Sequence, residues 1–180
     1  MTHTLSEVGA AIGRLERLNG PAAQAREKHL RNLTQQLPFM TEGKRWKADT
    51  YSVAIVGALR VVQVAFDIGL GRRELHDLTS QFHRTDQLAP AVRVPGGFTK
   101  PTMAETALAR AQAGEAFSIC LDRTAGGQTL FRPGWTPHNA AAHATADAIF
   151  ASAGAEPDLI ATLEVKASRL ISDLLTELGH

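Results

Sequence analysis

The chain has 180 residues, 44% of them hydrophobic, with 19 Lys/Arg, 18 Asp/Glu and one cysteine. That apolar fraction supplies one large or two small packed cores and excludes a chain disordered throughout. The net charge of +1 is a cancellation: residues 1–100 carry 14 Lys/Arg against 9 Asp/Glu, and residues 101–180 carry 5 against 9. A basic half joined to an acidic half is what a nucleic-acid-binding part and a part with another task would give.

Cys120, alone, excludes an internal disulfide and a multi-thiolate metal site within one chain. Residues 1–20 lack the pattern of a signal peptide. The longest apolar run, Val53 to Leu70, is interrupted by Arg60, Gln63 and Asp67, as suits a buried helix and not a membrane span. A cytoplasmic protein is expected.

Along the chain, Thr4-Leu5-Ser6-Glu7 has the form of a capping box, and Leu5, Val8, Ile12 and Leu15 repeat at helical spacing after it. Asn19-Gly20 closes this helix and Pro21 opens the next, which runs to about Gln36 and buries Leu30, Leu33 and Leu37. So short a connection turns two helices sharply on one another, as in a helix-turn-helix. Pro38 stops the second helix. A basic loop follows, in which Gly43 suits a turn and Trp46 an anchor on the core. Asp49 or Thr50 is expected to cap a central third helix rich in Val and Ile, with a strand as the alternative for Ser52 to Val56. Gly69 then ends that helix, and a fourth runs from about Arg72 to His83 on Leu75, Leu78 and Phe82.

Residues 84–101, with Pro90, Pro95, Gly96, Gly97 and Pro101, read as a linker. A short helix is expected over 102–113, then a hairpin from the alternation at Ala116 to Asp122, Gly126-Gly127 and Gln128 to Arg132. An alanine-rich helix is predicted from about His138 to Ala153. A last helix, opened by Glu156-Pro157-Asp158, would align Ile160, Leu163, Ala167, Leu170, Leu174 and Leu178 in a near-heptad seam. The expected fold is mainly α: a winged helix-turn-helix over 1–83, a linker over 84–101, and a helical dimerisation or partner-contact region with a small β-hairpin over 102–180.

Within the second helix, Gln24, Lys28, Arg31 and Gln35 share one face, opposite the leucines. Gln and Arg make bidentate contacts to adenine and guanine edges, and Lys attracts phosphate. A solvated helix face would carry the same residues. Lys44, Arg45 and Lys47 crowd the loop after this helix, where a wing can hold phosphates or straddle a minor groove. An exposed loop around a structural Trp is the alternative.

The layout of 8–20, 21–37, Gly43-Lys44-Arg45-Trp46 and 49–82 resembles the MerR-type winged-helix DNA-binding domain, including its divergent phage-like and mobile-element versions. His29-Leu30-Arg31-Asn32-Leu33 and Leu37-Pro38 match the end of that family's recognition helix. Arg45-Trp46 with Asp49 matches its wing motif, and Ile68-Gly69-Leu70-Gly71 with Glu74-Leu75 its second helix pair. The chain departs from the family in its short first turn, in lacking the usual tyrosine pair, and in having Trp46 where tyrosine is commoner. The resemblance implies a homodimeric transcription regulator on pseudo-palindromic double-stranded DNA, paired through a C-terminal helix; Ile160, Leu163, Leu170, Leu174 and Leu178 would be the dimerisation residues.

Chemistry of other kinds has little to build on. His143 and Asp147 have metal-pair spacing but no third ligand in view, and His138 is off register. Cys120 reads as an inert core thiol. Gly96-Gly97 and Gly126-Gly127 read as turns. No enzyme activity, cofactor or metal is expected, and no membrane. A helical protein–protein adaptor that does not bind DNA, or a phage-type DNA-packaging recognition subunit, would share many of these features.

Overall fold

The computed structural model describes residues 1–127, 129–134 and 159–180. They form two compact units: Met1–Ala116 with Ser168–His180, and Phe117–Ala167. In the first, β1 (Thr2–Thr4), α1 (Leu5–Leu15) and α2 (Gly20–Gln36) lead into the hairpin β2 (Gly43–Arg45) and β3 (Ala48–Ser52). Then come α3 (Val53–Asp67), α4 (Arg72–His83), the hairpin β4 (Val92–Val94) and β5 (Gly97–Thr99), α5 (Met103–Gln112) and finally α6 (Ala167–Glu177). The second unit holds β6 (Ser118–Thr124), β7 (Thr129–Gly134) and β8 (Leu159–Val165) as an antiparallel sheet in the order β7-β6-β8.

α1 begins as its sequence requires. The Thr4 hydroxyl accepts from the Glu7 amide at 3.4 Å, and the Glu7 carboxylate accepts from the Thr4 amide at 2.8 Å, so two orphan donors of the first turn are satisfied. Val8, Ala11 and Ile12 are buried. The helix packs on α2 at very short range through Gly9, where an added Cβ would lie 3.2 Å from Cβ and Cγ of Glu27. α3 is the hub. Capped by Ser52, it buries almost every side chain from Val53 to Ala65, and α4 and α5 pack on it. Ile171 of α6 sits over Gly57, where a Cβ would be 3.3 Å from its Cγ2. Leu59, Leu78, Ile171 and Leu174 are fully enclosed, each contributing roughly 1.5–3 kcal/mol by removal from water.

The polar interruptions of α3 close a ring under the first two helices. Arg60 Nη1 donates to Glu16 Oε1 at 2.6 Å and to the Gln63 carbonyl oxygen, and Gln63 Nε2 donates to Asp67. Arg26 of α2 completes it, donating to Glu16 Oε2 at 2.8 Å and Asp67 Oδ1 at 3.1 Å. Gln63 is wholly buried and Arg60 is 8% exposed. Two cations and two anions therefore neutralise one another where α1 ends and α2 and α3 meet, which compensates the cost of enclosing them.

β3 is the central strand of the first sheet, with β1 on one side (Thr2 opposite Ser52) and β2 on the other (Gly43 opposite Thr50, Arg45 opposite Ala48). The two-residue connection places Trp46 at φ 53° and Lys47 at φ 73°. Both central residues of a type I′ hairpin turn need this left-handed conformation, and glycine or asparagine usually supplies it.

Several expectations are corrected. The fold is mixed α/β, with six helices and three small sheets among the described residues, because β1 to β5 and β8 join the expected β6–β7 hairpin. Ser52 caps α3; Asp49 and Thr50 lie in β3. Trp46 is 95% exposed at the hairpin tip and anchors nothing on the core. The segment read as a linker contains the β4–β5 hairpin. The last helix is shorter than expected: Ile160 and Leu163 lie on β8, paired with β6, while Leu170, Leu174 and Leu178 follow in or just after α6. Leu174 is 1% exposed, inside its own unit. The five therefore form no single helical seam. The division into units likewise differs from the 1–83 and 102–180 expected, since α5 and α6 join the N-terminal elements. The expected hairpin is present as β6–β7, with Cys120 half-buried on β6. The alanine-rich helix and the His143–Asp147 pair lie outside the described residues.

Candidate nucleic-acid interface

Gln24, Lys28, Arg31 and Gln35 are all exposed on α2, while Leu30 and Leu33 on the far side are buried. The helix holds this face outward because its inner residues are fixed twice, by the Gly9 contact and by Arg26 in the polar ring. His29 abuts Phe66 with ring centroids 4.5 Å apart, and burial pushes its pKa down.

Lys44, Arg45 and Lys47 are exposed along the β2–β3 hairpin and its turn. The structure brings the hairpin and α2 to the same place, the first turn of α1. Arg45 Nη2 donates to the Glu7 carboxylate. One residue earlier, Ser6 donates to Glu27 Oε1 at 2.8 Å, and Arg31 Nη2 reaches that same oxygen at 2.9 Å. Arg31 and Arg45, fourteen positions apart in sequence, are thus joined to adjacent residues of one helical turn.

These contacts also sort the cations. Arg31 and Arg45 face acids, and Lys44 lies 4.0 Å from Asp49 across the hairpin. Lys28 and Lys47 make no ion pair among the described residues. Exposed ion pairs of this kind are worth little in water, so a phosphate can displace the acids at small cost. The Glu7 carboxyl is held below its ordinary range, first by the Thr4 amide and then by Arg45 and the Thr4 hydroxyl. It remains an anion beside the hairpin under all but acidic conditions.

Reading the sequence missed the acids that accompany Arg31 and Arg45, and the exposure of Trp46. A signal for the second was present: Glu42 to Asp49 offers the tryptophan no apolar neighbour except Ala48, which is too little to form a core contact. Among the described residues no group of three or more His, Cys, Asp or Glu could hold a metal ion. No helix there is long and apolar enough to cross a membrane. No protein-family model and no curated protein sequence matches the chain.

Proposed function

We propose that residues 1–83 bind double-stranded DNA, with α2 in the major groove and the β2–β3 hairpin as a wing along the flanking backbone or minor groove. Gln24, Arg31 and Gln35 are the base-reading side chains; Lys28, Lys44, Arg45 and Lys47 hold phosphates. The observation that carries the reading is the convergence of the α2 face and the cationic hairpin on one turn of α1. It sets a helix face and a β-ribbon side by side, the pairing that would enter neighbouring grooves. A two-residue turn with both residues in the left-handed region, exposing a tryptophan to solvent, adds support, because such backbone strain clusters at functional sites. A transcription regulator is the biological role this would serve. Pairing through Ile160, Leu163, Leu170, Leu174 and Leu178 forms no part of the proposal.

Fluorescence anisotropy on a pool of random duplexes, with salt stepped upward, tests the reading. The expected result is binding that weakens with salt, with a slope that flattens by about 0.9 for each phosphate contact removed in a Lys28→Ala/Lys44→Ala/Lys47→Ala variant. A folded protein that binds no duplex at low salt overturns the proposal and leaves the adaptor reading.

A further inference from the structure

The β4–β5 hairpin stands out at the surface of its unit. All six of its strand residues are exposed, Phe98 to 75%. A two-stranded ribbon in water is marginal without a packed face, yet this one is fastened firmly at its base. Thr85 bridges to Thr102, the Asp86 amide donates to the Pro101 carbonyl at 2.8 Å, and the Met103 amide donates to the Arg84 carbonyl at 2.8 Å. The Asp86 carboxylate, nearly buried, accepts from the amides of Leu88 and Ala89 at 3.0 and 3.2 Å. Lys100 Nζ is bound to the Gln87 carbonyl. The tip is Pro95-Gly96, with Gly96 at φ 94°, the residue order a tight turn favours.

The chemistry of the arm is one-sided. Asp86 is the only acid between Asp77 and Glu105, and its carboxylate is already engaged at the base. Arg93 stands directly opposite Phe98 in the register, so the two side chains share one face of the ribbon. Arg93 makes no ion pair among the described residues. A cation beside an exposed aromatic ring on a narrow ribbon complements a polyanion with apolar steps in its interior: Arg enters a narrow minor groove, and Phe unstacks a base step there. A lipid surface fits less well, because Arg93 shares the face that Phe98 would insert and the tip itself is Pro-Gly-Gly, although Val92 and Val94 are exposed on the other face.

We propose that this hairpin is a second DNA-contacting arm, with Arg93 in the minor groove and Phe98 wedged between base pairs, bending the duplex. The proposal rests on the DNA reading above and adds a contact that the N-terminal elements do not make. Its test uses the full chain with duplexes carrying 2-aminopurine at a TA step and end-labelled dyes for energy transfer. The expected result is a rise in aminopurine fluorescence and shortened end-to-end distance, both lost in Phe98→Ala and kept in Phe98→Trp. Affinity of Phe98→Ala should fall roughly tenfold, the scale of one lost aromatic–base stack, and Arg93→Ala should flatten the salt slope by about 0.9. Affinity and unstacking unchanged in Phe98→Ala, while the triple lysine variant still weakens binding, overturns the arm alone. Loss with Phe98→Ala but none with the lysine variant sustains the arm and overturns the α2 reading. Absence of duplex binding by the wild type overturns both. Phe98-dependent cosedimentation with phosphatidylserine vesicles, without duplex unstacking, assigns the arm to a lipid surface and overturns the proposal.

Discussion

Removing Glu16 should be among the most damaging single changes available outside the apolar core. Its two carboxylate oxygens hold different cations, Arg60 at 2.6 Å and Arg26 at 2.8 Å. In Glu16→Ala the Arg60 side chain, only 9% exposed in the wild type, keeps only the Gln63 carbonyl and has an Nε that already lacks a partner among the described residues. Arg26 is better placed, with a side chain 20% exposed and Asp67 still in reach. Breaking a fully buried pair costs about 3–5 kcal/mol, and partial exposure of the ring places this one at the lower end, about 3 kcal/mol. For a unit of this size that corresponds to a melting temperature lower by roughly 10 °C. Urea denaturation of the wild type, Glu16→Ala and Glu16→Ala/Arg60→Met measures it. Replacing the stranded cation with an apolar side chain of similar length should restore about 1–2 kcal/mol of the loss. A loss under about 1 kcal/mol for Glu16→Ala, or a double variant worse than the single, would refute the view that the ring is a closed, desolvated network.

Two glycines of α1 should respond in opposite ways: Gly9→Val, pressed on Glu27, should destabilise by about 1–3 kcal/mol. Gly13→Ala, whose new methyl meets only Ala23 Cβ at 3.8 Å, should be neutral or stabilising by up to about 1 kcal/mol in thermal melts. At the hairpin turn, Lys47→Gly relieves a left-handed lysine at φ 73°. Stability should rise by about 0.5–1 kcal/mol while duplex affinity falls, and an unchanged melting curve would contradict the strain. His3, His29 and His83 all lie below the ordinary value of 6.5, burial being the first cause in each. The native state thus resists protonation more than the unfolded chain does. The stability these groups contribute is complete above that value and is lost as pH falls through it toward the native values. Unfolding free energies between about pH 7 and 5 should decline with acidification, and less steeply in His29→Leu; an identical slope would exclude His29 as a contributor. The depressed Glu7 carboxyl adds a second decline as pH falls below its ordinary 4.5.

What the sequence revealed was local in origin. The Thr4–Glu7 capping box, Pro21 at the start of α2, the near-continuous apolar run of α3 and the β6–β7 alternation are each patterns written in a short stretch of sequence, and each element is present. What it concealed was set by distant partners. Leu159 to Val165 has helical leucine spacing on one side, but β6 is there to pair with it, and pairing to a strand forty residues away leaves no trace in periodicity. The tight turn at Trp46-Lys47 carries neither glycine nor asparagine, so its hairpin lacked the usual mark. The converse holds at Val92 to Thr99: its alternating flanks around Pro95-Gly96 do spell a hairpin, hidden by the Pro and Gly content that suggested a linker. For the candidate interface, the cations and the α2 face were legible from spacing. That Glu7 and Glu27 gather Arg45 and Arg31 at one turn was not, because it depends on how three elements meet.

The chain leaves the first unit after Ala116 and returns to it at Ser168. The strands that carry it out and back, β6 and β8, are antiparallel neighbours with Ile119 opposite Val165, so departure and return lie about one strand spacing apart, near 5 Å. That is the geometry of a guest module spliced into a host. Closing the splice with a short loop between Ala116 and Ser168 would test whether the first unit folds without the second.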